Sequence, residues 1–281
     1  MVGSDGERRL KEWGVLSPTF PATPAIATAI LVVLLVWLVI RAMRKDRREY
    51  GRFKRYRSTA KRQQLYRKWL VESFLVFGGS ALLVTVIGWQ HIPLFFDEFY
   101  ALPGIVQFGH LVADTGSLIP GLAIGAGIIL FVGSVVGIYL ARHTDEVPAI
   151  GDIAALLPRN RAELRYGWLL SVNAGVVEEL LFRLALPVLI FTATGSAAVA
   201  VAGSIALFGL LHLYQGVWGV TGSLLIGTLL MAVFLSTGSI LVAVALHALI
   251  DLRSLVLIPV VVYRVHRVSG GAHRTKTSTP R

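Results

Sequence analysis

The chain has 281 residues, of which 55% are hydrophobic and 15% charged, with a net charge of +11 and no cysteine. Soluble domains carry about 25% charged residues, so this composition predicts a membrane protein. Without cysteine there is no disulfide, no thiolate nucleophile and no thiolate metal ligand. The positive charge does not indicate a nucleic-acid partner, because thirteen of the 27 lysine and arginine residues lie within 41–68, directly after an apolar segment. We expect this run to be solvated or to face anionic lipid in the cytoplasm.

Apolar segments of about 20 residues, the length that crosses a bilayer, recur along the chain. The sequence therefore predicts an all-α fold, a polytopic transmembrane helix bundle with about seven spans. The predicted spans are 22–42, 69–89, 119–141, 168–190, 193–213, 217–237 and 239–262.

Basic residues alternate between the predicted loops, and this alternation indicates the orientation. The loops 43–68 and 142–167 and the tail after Tyr263 are basic, whereas the loop 90–118 contains no lysine or arginine. Because cytoplasmic loops carry the excess of positive charge, the N-terminus is predicted outside and the C-terminus in the cytoplasm.

The chain divides near residue 150 into parts of different character. Residues 1–150 form an N-terminal region with three predicted spans and the basic loop, and their intramembrane acid, Glu72, lies close enough to the end of its span to reach the interface. Residues 151–263 form a second domain that holds the other polar residues at membrane depth. The basic tail 264–281 is predicted to be disordered.

Three ionisable residues, Glu178, Glu179 and Arg183, lie within the predicted span 168–190. At about 2.5–3.5 kcal/mol for each charge, this helix carries a penalty that partners elsewhere must offset, so we interpret these residues as a candidate functional site. The spacing of four places Glu179 and Arg183 on one helix face, where they can pair. Glu178 points about 100° away, and its carboxyl group must either protonate or be held by other groups.

Two further spans carry polar residues at the same spacing. His212 follows Phe208 by four residues, and Asp251 follows His247 by four, so that Asp251 is placed either to orient the His247 ring or to stack a second polar group beneath it. Because lipid does not satisfy polar groups at depth, we expect these side chains to meet Glu178 inside the bundle.

Such a set of residues suits hydrolysis by an activated water without a covalent intermediate. A buried glutamate acts as general base or acid, one histidine holds the water, and a second donates to the developing oxyanion. The residue types also suit a zinc site of two histidines and one glutamate, with Glu178, His212 and His247 as the candidate ligands. The chain contains no His-Glu-x-x-His motif, so the spacing of these residues does not decide whether the site binds a metal.

The three motifs together resemble one family of membrane proteins. In chain order they are Glu178-Glu179-x-x-x-Arg183, Phe208-x-x-x-His212 and His247-x-x-x-Asp251. They resemble the CAAX protease and bacteriocin-processing (CPBP) family, which includes type II CAAX prenyl endopeptidases and lysostaphin-resistance-like proteins. The resemblance covers about residues 150–262. It implies an intramembrane endopeptidase of a prokaryotic cell membrane, acting on a membrane-associated protein or peptide.

The resemblance also implies roles for the individual residues. Glu178 would activate the water together with His212, and His247 and Asp251 would stabilise the oxyanion. The supporting residues would be Glu179, Arg183 and Phe208. Members of the family include metal-independent glutamate proteases and metalloproteases, so the cofactor is either absent or zinc.

Two other functions are compatible with the sequence. Some members of the family are non-catalytic scaffolds or immunity-type factors, in which the motifs would serve packing. Buried Glu, His and Asp residues also form proton relays in transporters, but the chain has no inverted repeat of the kind many transporters contain.

Overall fold

The computed structural model describes residues 16–116, 118–141 and 154–269, which form helices and contain no strand. The α-helices in chain order are α1 Thr23–Ile40, α2 Arg47–Phe53, α3 Thr59–Ser73, α4 Gly79–Gly88, α5 His91–Ala101, α6 Pro103–Thr115, α7 Leu118–Ala141, α8 Arg161–Glu179, α9 Leu186–Thr194, α10 Ala197–Leu211, α11 Gly216–Thr237, α12 Ile240–Leu252 and α13 Ile258–Val261. The predicted all-α fold is therefore confirmed. The tail predicted to be disordered extends beyond the described residues from 270 onwards.

Four π-helical turns join consecutive α-helices within the described part of the chain. They are Arg41–Asp46 between α1 and α2, Phe74–Gly78 between α3 and α4, Leu180–Ala185 between α8 and α9, and Arg253–Leu257 between α12 and α13. Single π turns inside α-helices occur frequently at functional sites. Here each of the four contributes at least one side chain to the lining of the same internal cavity.

Four helices of the described residues are long and apolar enough to cross a membrane, namely Thr23–Phe53, Thr59–Gly88, Leu213–Thr237 and Ile240–Val261. They contain most of the predicted spans 22–42, 69–89, 217–237 and 239–262. The predicted number of seven spans is not confirmed. The segment 168–190 is helical but carries three ionisable residues at its centre, and α10 has 15 residues, roughly 22 Å of helix against a hydrocarbon core of about 30 Å. Many side chains of α7 lie outside the described set.

The helix from α8 to α9 lies at the centre of the bundle. α8 packs along α12 and α3, and α9 packs against α1 and α10. Leu181, Ala185 and Leu186, around the intervening π turn, have no exposed surface. The segment predicted as the span 168–190 is therefore a core helix, and its residues Glu179 and Arg183 face protein.

A glycine sets the distance between α8 and α12. A Cβ added at Gly175 would lie 3.0 Å from the backbone nitrogen of Ala248 and 3.0 Å from the carbonyl oxygen of Val244. A side chain at this position would push the two helices apart. The contact lies one helical turn before Glu179, so it brings the carboxylate of Glu179 within reach of α12.

A buried ion pair attaches the N-terminal region to the start of α8. Arg62 on α3 is fully buried, and its Nε donates to the Glu163 carboxylate at 3.0 Å. Its Nη2 donates to the carbonyl oxygens of Ala155 and Leu157, at 3.1 Å each. The side chain of Asn160 accepts from the Glu163 backbone amide and caps α8. Our expectation of a solvated or lipid-facing basic run is therefore wrong for Arg62, whose burial the linear sequence did not reveal.

Candidate active site

The residues of the three motifs line one cavity inside the bundle. The cavity has a volume of about 370 Å³, and Glu178, His212, His247 and Asp251 all contribute to its wall. Glu178 lies in the last turn of α8, His212 directly follows α10, and the other two lie on α12. Three helices that are separate in sequence thus bring the predicted residues around one space of a size suited to a peptide segment.

Glu179 and Arg183 form the ion pair that their spacing predicts. Arg183 Nε donates to Glu179 Oε2 at 2.9 Å and Nη2 donates to Oε1 at 3.3 Å, and both residues have no exposed surface. The Arg183 guanidinium also lies 5.0 Å from the centre of the Phe208 ring. A bidentate pair that is buried from water is rigid. It therefore fixes the direction in which the Glu179 carboxylate offers its remaining hydrogen-bond acceptor position.

The Glu179 carboxylate also accepts a hydrogen bond from His247. The distance from His247 Nδ1 to Glu179 Oε1 is 2.7 Å, whereas His247 Nε2 lies 3.8 Å from Asp251 Oδ2. Orientation of this ring was one of the roles that the sequence left open for Asp251; the hydrogen bond of Nδ1 comes from packing against Glu179, and Asp251 lies on the Nε2 side. The reason is the close packing of α8 on α12, which no spacing within α12 reveals. Because a carboxylate paired with arginine only accepts, Nδ1 carries the proton and Nε2 remains for other contacts.

Glu178 projects away from this network. It lines the cavity and is partly exposed, and within the described part of the chain no group donates a hydrogen bond to its carboxylate. The two adjacent glutamates therefore have different environments. Glu179 is committed to Arg183 and His247, whereas the oxygens of Glu178 are available to a molecule in the cavity.

His212 is oriented from its own helix. Its Nδ1 lies 2.8 Å from the carbonyl oxygen of Phe208, and since a carbonyl only accepts, Nδ1 is the donor. The other nitrogen, Nε2, is then the unprotonated one in the neutral ring. The Phe208 ring contacts both histidines, with its centre 4.8 Å from that of the His212 ring and 6.1 Å from that of the His247 ring. Phe208 is 2% exposed, so these contacts are buried within the site.

The candidate zinc ligands do not form a metal-binding cluster in this geometry. Across the described ranges, no group of three or more His, Asp or Glu side chains is arranged to hold a metal ion. Glu178, His212 and His247 share a cavity, but they are not arranged as the zinc site that the sequence left open.

The N-terminal region supplies part of the cavity wall, which the motifs did not predict. Residues from α1 to α4 and their π turns that line it include Leu38, Arg41, Asp46, Tyr50, Trp69, Ser73 and Phe77. Asn173 on α8 also lines the cavity, and its side-chain amide donates to Ser73 Oγ at 2.9 Å. A polar residue within an apolar span, as Asn173 is, was a signal that could have identified it. Glu72, expected to be structural, accepts from Lys45 at 2.6 Å.

Comparison with known families agrees with the motifs. Residues 160–253 match the model of the family described as type II CAAX prenyl endopeptidase Rce1-like. No curated protein and no solved structure matches the chain. The matched segment contains all three motifs and lies within the predicted domain 151–263. The four long apolar helices and this match fit an integral membrane protein, and the segment 160–253 is similar to the CAAX protease family.

Proposed function

We propose that this protein is an intramembrane endopeptidase that hydrolyses a peptide bond of a membrane-associated substrate. The observation that carries the proposal is the separation of roles between Glu178 and Glu179. The carboxylate of Glu179 is held by Arg183 and His247, whereas that of Glu178 faces the cavity without a donor among the described residues. A free carboxylate that lines the same cavity as a histidine with an unprotonated nitrogen provides the two groups needed to activate a water.

The first chemical step uses Glu178 and His212. Water in the cavity is held by His212 Nε2 and loses a proton to the Glu178 carboxylate as its oxygen attacks the carbonyl carbon of the substrate. The tetrahedral intermediate carries the negative charge on the former carbonyl oxygen. When the C–N bond breaks, Glu178 returns its proton to the leaving nitrogen. The products are a carboxylic acid and an amine, and the acid then passes its remaining proton to the amine to give a carboxylate and an ammonium group. No covalent intermediate with the protein forms.

His247 is the candidate for stabilising the oxyanion. Its Nδ1 is bonded to Glu179, so Nε2 is the atom left to face the substrate. A proton on Nε2 would be balanced by the carboxylates of Glu179 and Asp251 on either side of the ring. Asp251 itself accepts and does not donate when ionised, so we assign it to the balance of charge around His247.

The test is cleavage of a quenched-fluorescence peptide library by the purified protein in detergent. Glu178→Gln keeps the shape of the side chain and removes the base, so we expect a loss of at least about 100-fold in kcat, the lower range for general acid–base catalysis. Glu98→Gln is the matched control, because Glu98 does not line the cavity and accepts from the backbone amide of Ala197, which an amide oxygen also does. Full activity of the Glu178→Gln variant would refute the mechanism.

A non-catalytic scaffold is the alternative function, and one observation favours it. The buried network of Arg183, Glu179 and His247 ties α8 and its following π turn to α12 whether or not a reaction occurs. A scaffold requires this network but not the carboxylate of Glu178. Complementation of a deletion strain by the Glu178→Gln variant would therefore identify a scaffold, and failure to complement would favour the enzyme.

We also propose the orientation with the N-terminus outside a prokaryotic cell membrane and the C-terminus in the cytoplasm. Contacts between segments predicted on the same side support it, because Arg62 meets Glu163 at one end of the bundle and Tyr100 donates to the Leu235 carbonyl oxygen at the other. The chain has no cysteine, so single cysteines introduced into the loops report their side directly. Labelling of a cysteine in loop 43–68 from outside intact cells would show that the orientation is the opposite of the proposed one.

A further inference from the structure

His212 lies directly after the end of α10, where the backbone is no longer α-helical. α10 ends at Leu211, and His212 has φ −91° and ψ 11°, outside the α-helical range. A short 3₁₀ turn, Leu213–Gln215, follows, and Gly216 at φ 79° starts α11. The hydrogen bond from Nδ1 to the Phe208 carbonyl sets one direction of the ring. The direction of Nε2 into the cavity needs a second restraint, because a ring held by one hydrogen bond still pivots about it.

Tyr214 supplies a second ring contact to the imidazole. Its ring is stacked on that of His212 at 6.1 Å and 27°, while Phe208 lies at 4.8 Å and 52°. These separations lie within or near the range of favourable ring–ring contacts. Tyr214 is half-buried, lines the cavity, and its hydroxyl accepts from Gln215 Nε2 at 2.8 Å. The imidazole is thus in contact with two rings, those of Phe208 and Tyr214.

Tyr214 is in turn held by the N-terminal region. The Tyr50 ring on α2 meets it edge to face at 5.4 Å and 70°, and Tyr50 is 4% exposed. The neighbouring Glu49 accepts from Trp69 Nε1 at 2.9 Å and is paired with Lys68, both on α3. α2 is therefore fixed to α3 on one side and presents Tyr50 to the 3₁₀ turn on the other.

We propose that Tyr214 and Tyr50 are positioning residues for His212, and that the N-terminal region, outside the matched segment 160–253, thereby takes part in the reaction. The inference rests on the proposed function for His212. It identifies residues that no motif marks, because their effect passes through ring contacts and not through bonds to the substrate. A displacement of about 1 Å in a group that holds a reacting water lowers the rate by up to about 100-fold.

The first experiment compares Tyr214→Leu with Tyr214→Phe, using Tyr263→Leu as the matched control at a partly exposed tyrosine outside the cavity lining. We expect Tyr214→Leu to lower kcat about 10- to 100-fold with little change in KM, because the ring that holds the water moves and the substrate contacts stay. Tyr214→Phe keeps the ring and should retain activity. Wild-type kcat in Tyr214→Leu, or equal losses in the Leu and Phe variants, would overturn the proposal.

The second arm tests the order of contacts. Tyr50→Leu should lower kcat in the same direction by a smaller factor, and it should add little when combined with Tyr214→Leu, since both act through one ring. Independent, multiplicative losses would contradict a shared path through Tyr214.

The third arm needs no enzymatic activity. Diethyl pyrocarbonate modifies accessible imidazoles, and mass spectrometry measures the rate at His212 and, as an internal reference, at His247. We expect a several-fold faster reaction of His212 in Tyr214→Leu than in Tyr263→Leu, with His247 unchanged. An unchanged rate at His212 refutes the positioning contact. If the wild-type protein and Glu178→Gln cleave no peptide while His212 becomes more reactive, the proposed function fails and the ring contact stands.

Discussion

The ion pair at the centre of the bundle yields the sharpest prediction for stability. Glu179→Gln keeps the volume and the acceptor for His247 Nδ1 but leaves Arg183 as an uncompensated charge. Both side chains are fully buried, so water does not replace the lost partner. Removal of one partner from a buried pair costs about 3–5 kcal/mol, and we expect that loss here. The Nη1 of Arg183, buried without a hydrogen-bond partner among the described residues, adds to the sensitivity of this site.

A second substitution separates charge from shape. Arg183→Met, combined with Glu179→Gln, removes the unpaired charge and keeps an apolar chain of similar length against Phe208. Replacement of a buried ion pair by well-packed neutral groups is often nearly neutral, so the double variant should recover most of the lost free energy of unfolding. Its activity should stay low, because the carboxylate that balances the proton on His247 is gone.

The assay is equilibrium unfolding in mixed micelles, followed by the fluorescence of the six tryptophans. Glu72→Gln is the matched control, since Glu72 pairs with Lys45 at 2.6 Å but the two side chains are 24% and 37% exposed. An exposed pair contributes about 0–1 kcal/mol. Equal losses in Glu179→Gln and Glu72→Gln would refute the argument, because the central pair would then be as hydrated as the peripheral one.

Three further predictions follow from the packing and the site. Gly175→Ala should destabilise the protein by about 1–3 kcal/mol and lower activity, because the added Cβ pushes α12 away from Glu179. The control is Gly79→Ala, where nothing lies within 4 Å of the added Cβ. It should be neutral or slightly stabilising in the same unfolding assay. Arg62→Met should lower the free energy of unfolding by about 3–5 kcal/mol, because it leaves the Glu163 charge unpaired. Adding Glu163→Gln should recover most of this loss. An Arg62→Met variant as stable as the wild type would show that this pair does not hold the N-terminal region. Peptide cleavage should be insensitive to a strong chelator, and a loss of activity that added Zn²⁺ restores would contradict the metal-free mechanism.

The structure also shows why hydropathy alone does not decide the number of spans, which is not confirmed at seven. Hydropathy measures whether a segment tolerates an apolar environment, and a core helix of a bundle satisfies that condition as well as a lipid-facing one. The segment 168–190 is such a helix, since Leu181, Ala185 and Leu186 are buried in protein. α10 is apolar along its length but has 15 residues, which places it below the thickness of the bilayer core.

The sequence alone determined the properties that depend on composition and on short spacing. Its low charge and apolar segments predicted a helical membrane protein, and the spacing of four predicted the pairing of Glu179 with Arg183, because residues four apart on a helix are neighbours in any fold. The same reasoning separated Glu178 from Glu179, since adjacent residues on a helix point in different directions.

The tertiary structure decided which residues from distant parts of the chain meet. His247 Nδ1 donates its hydrogen bond to Glu179, 68 residues away, and not to Asp251 on its own helix, because Gly175 allows α8 and α12 to approach. Tyr50 reaches Tyr214 because Arg62, Glu163 and the contacts of Glu49 fix the N-terminal helices against the matched segment. Such contacts depend on how whole helices pack, and helix packing is a property of the assembled core that the spacing within a single helix does not contain.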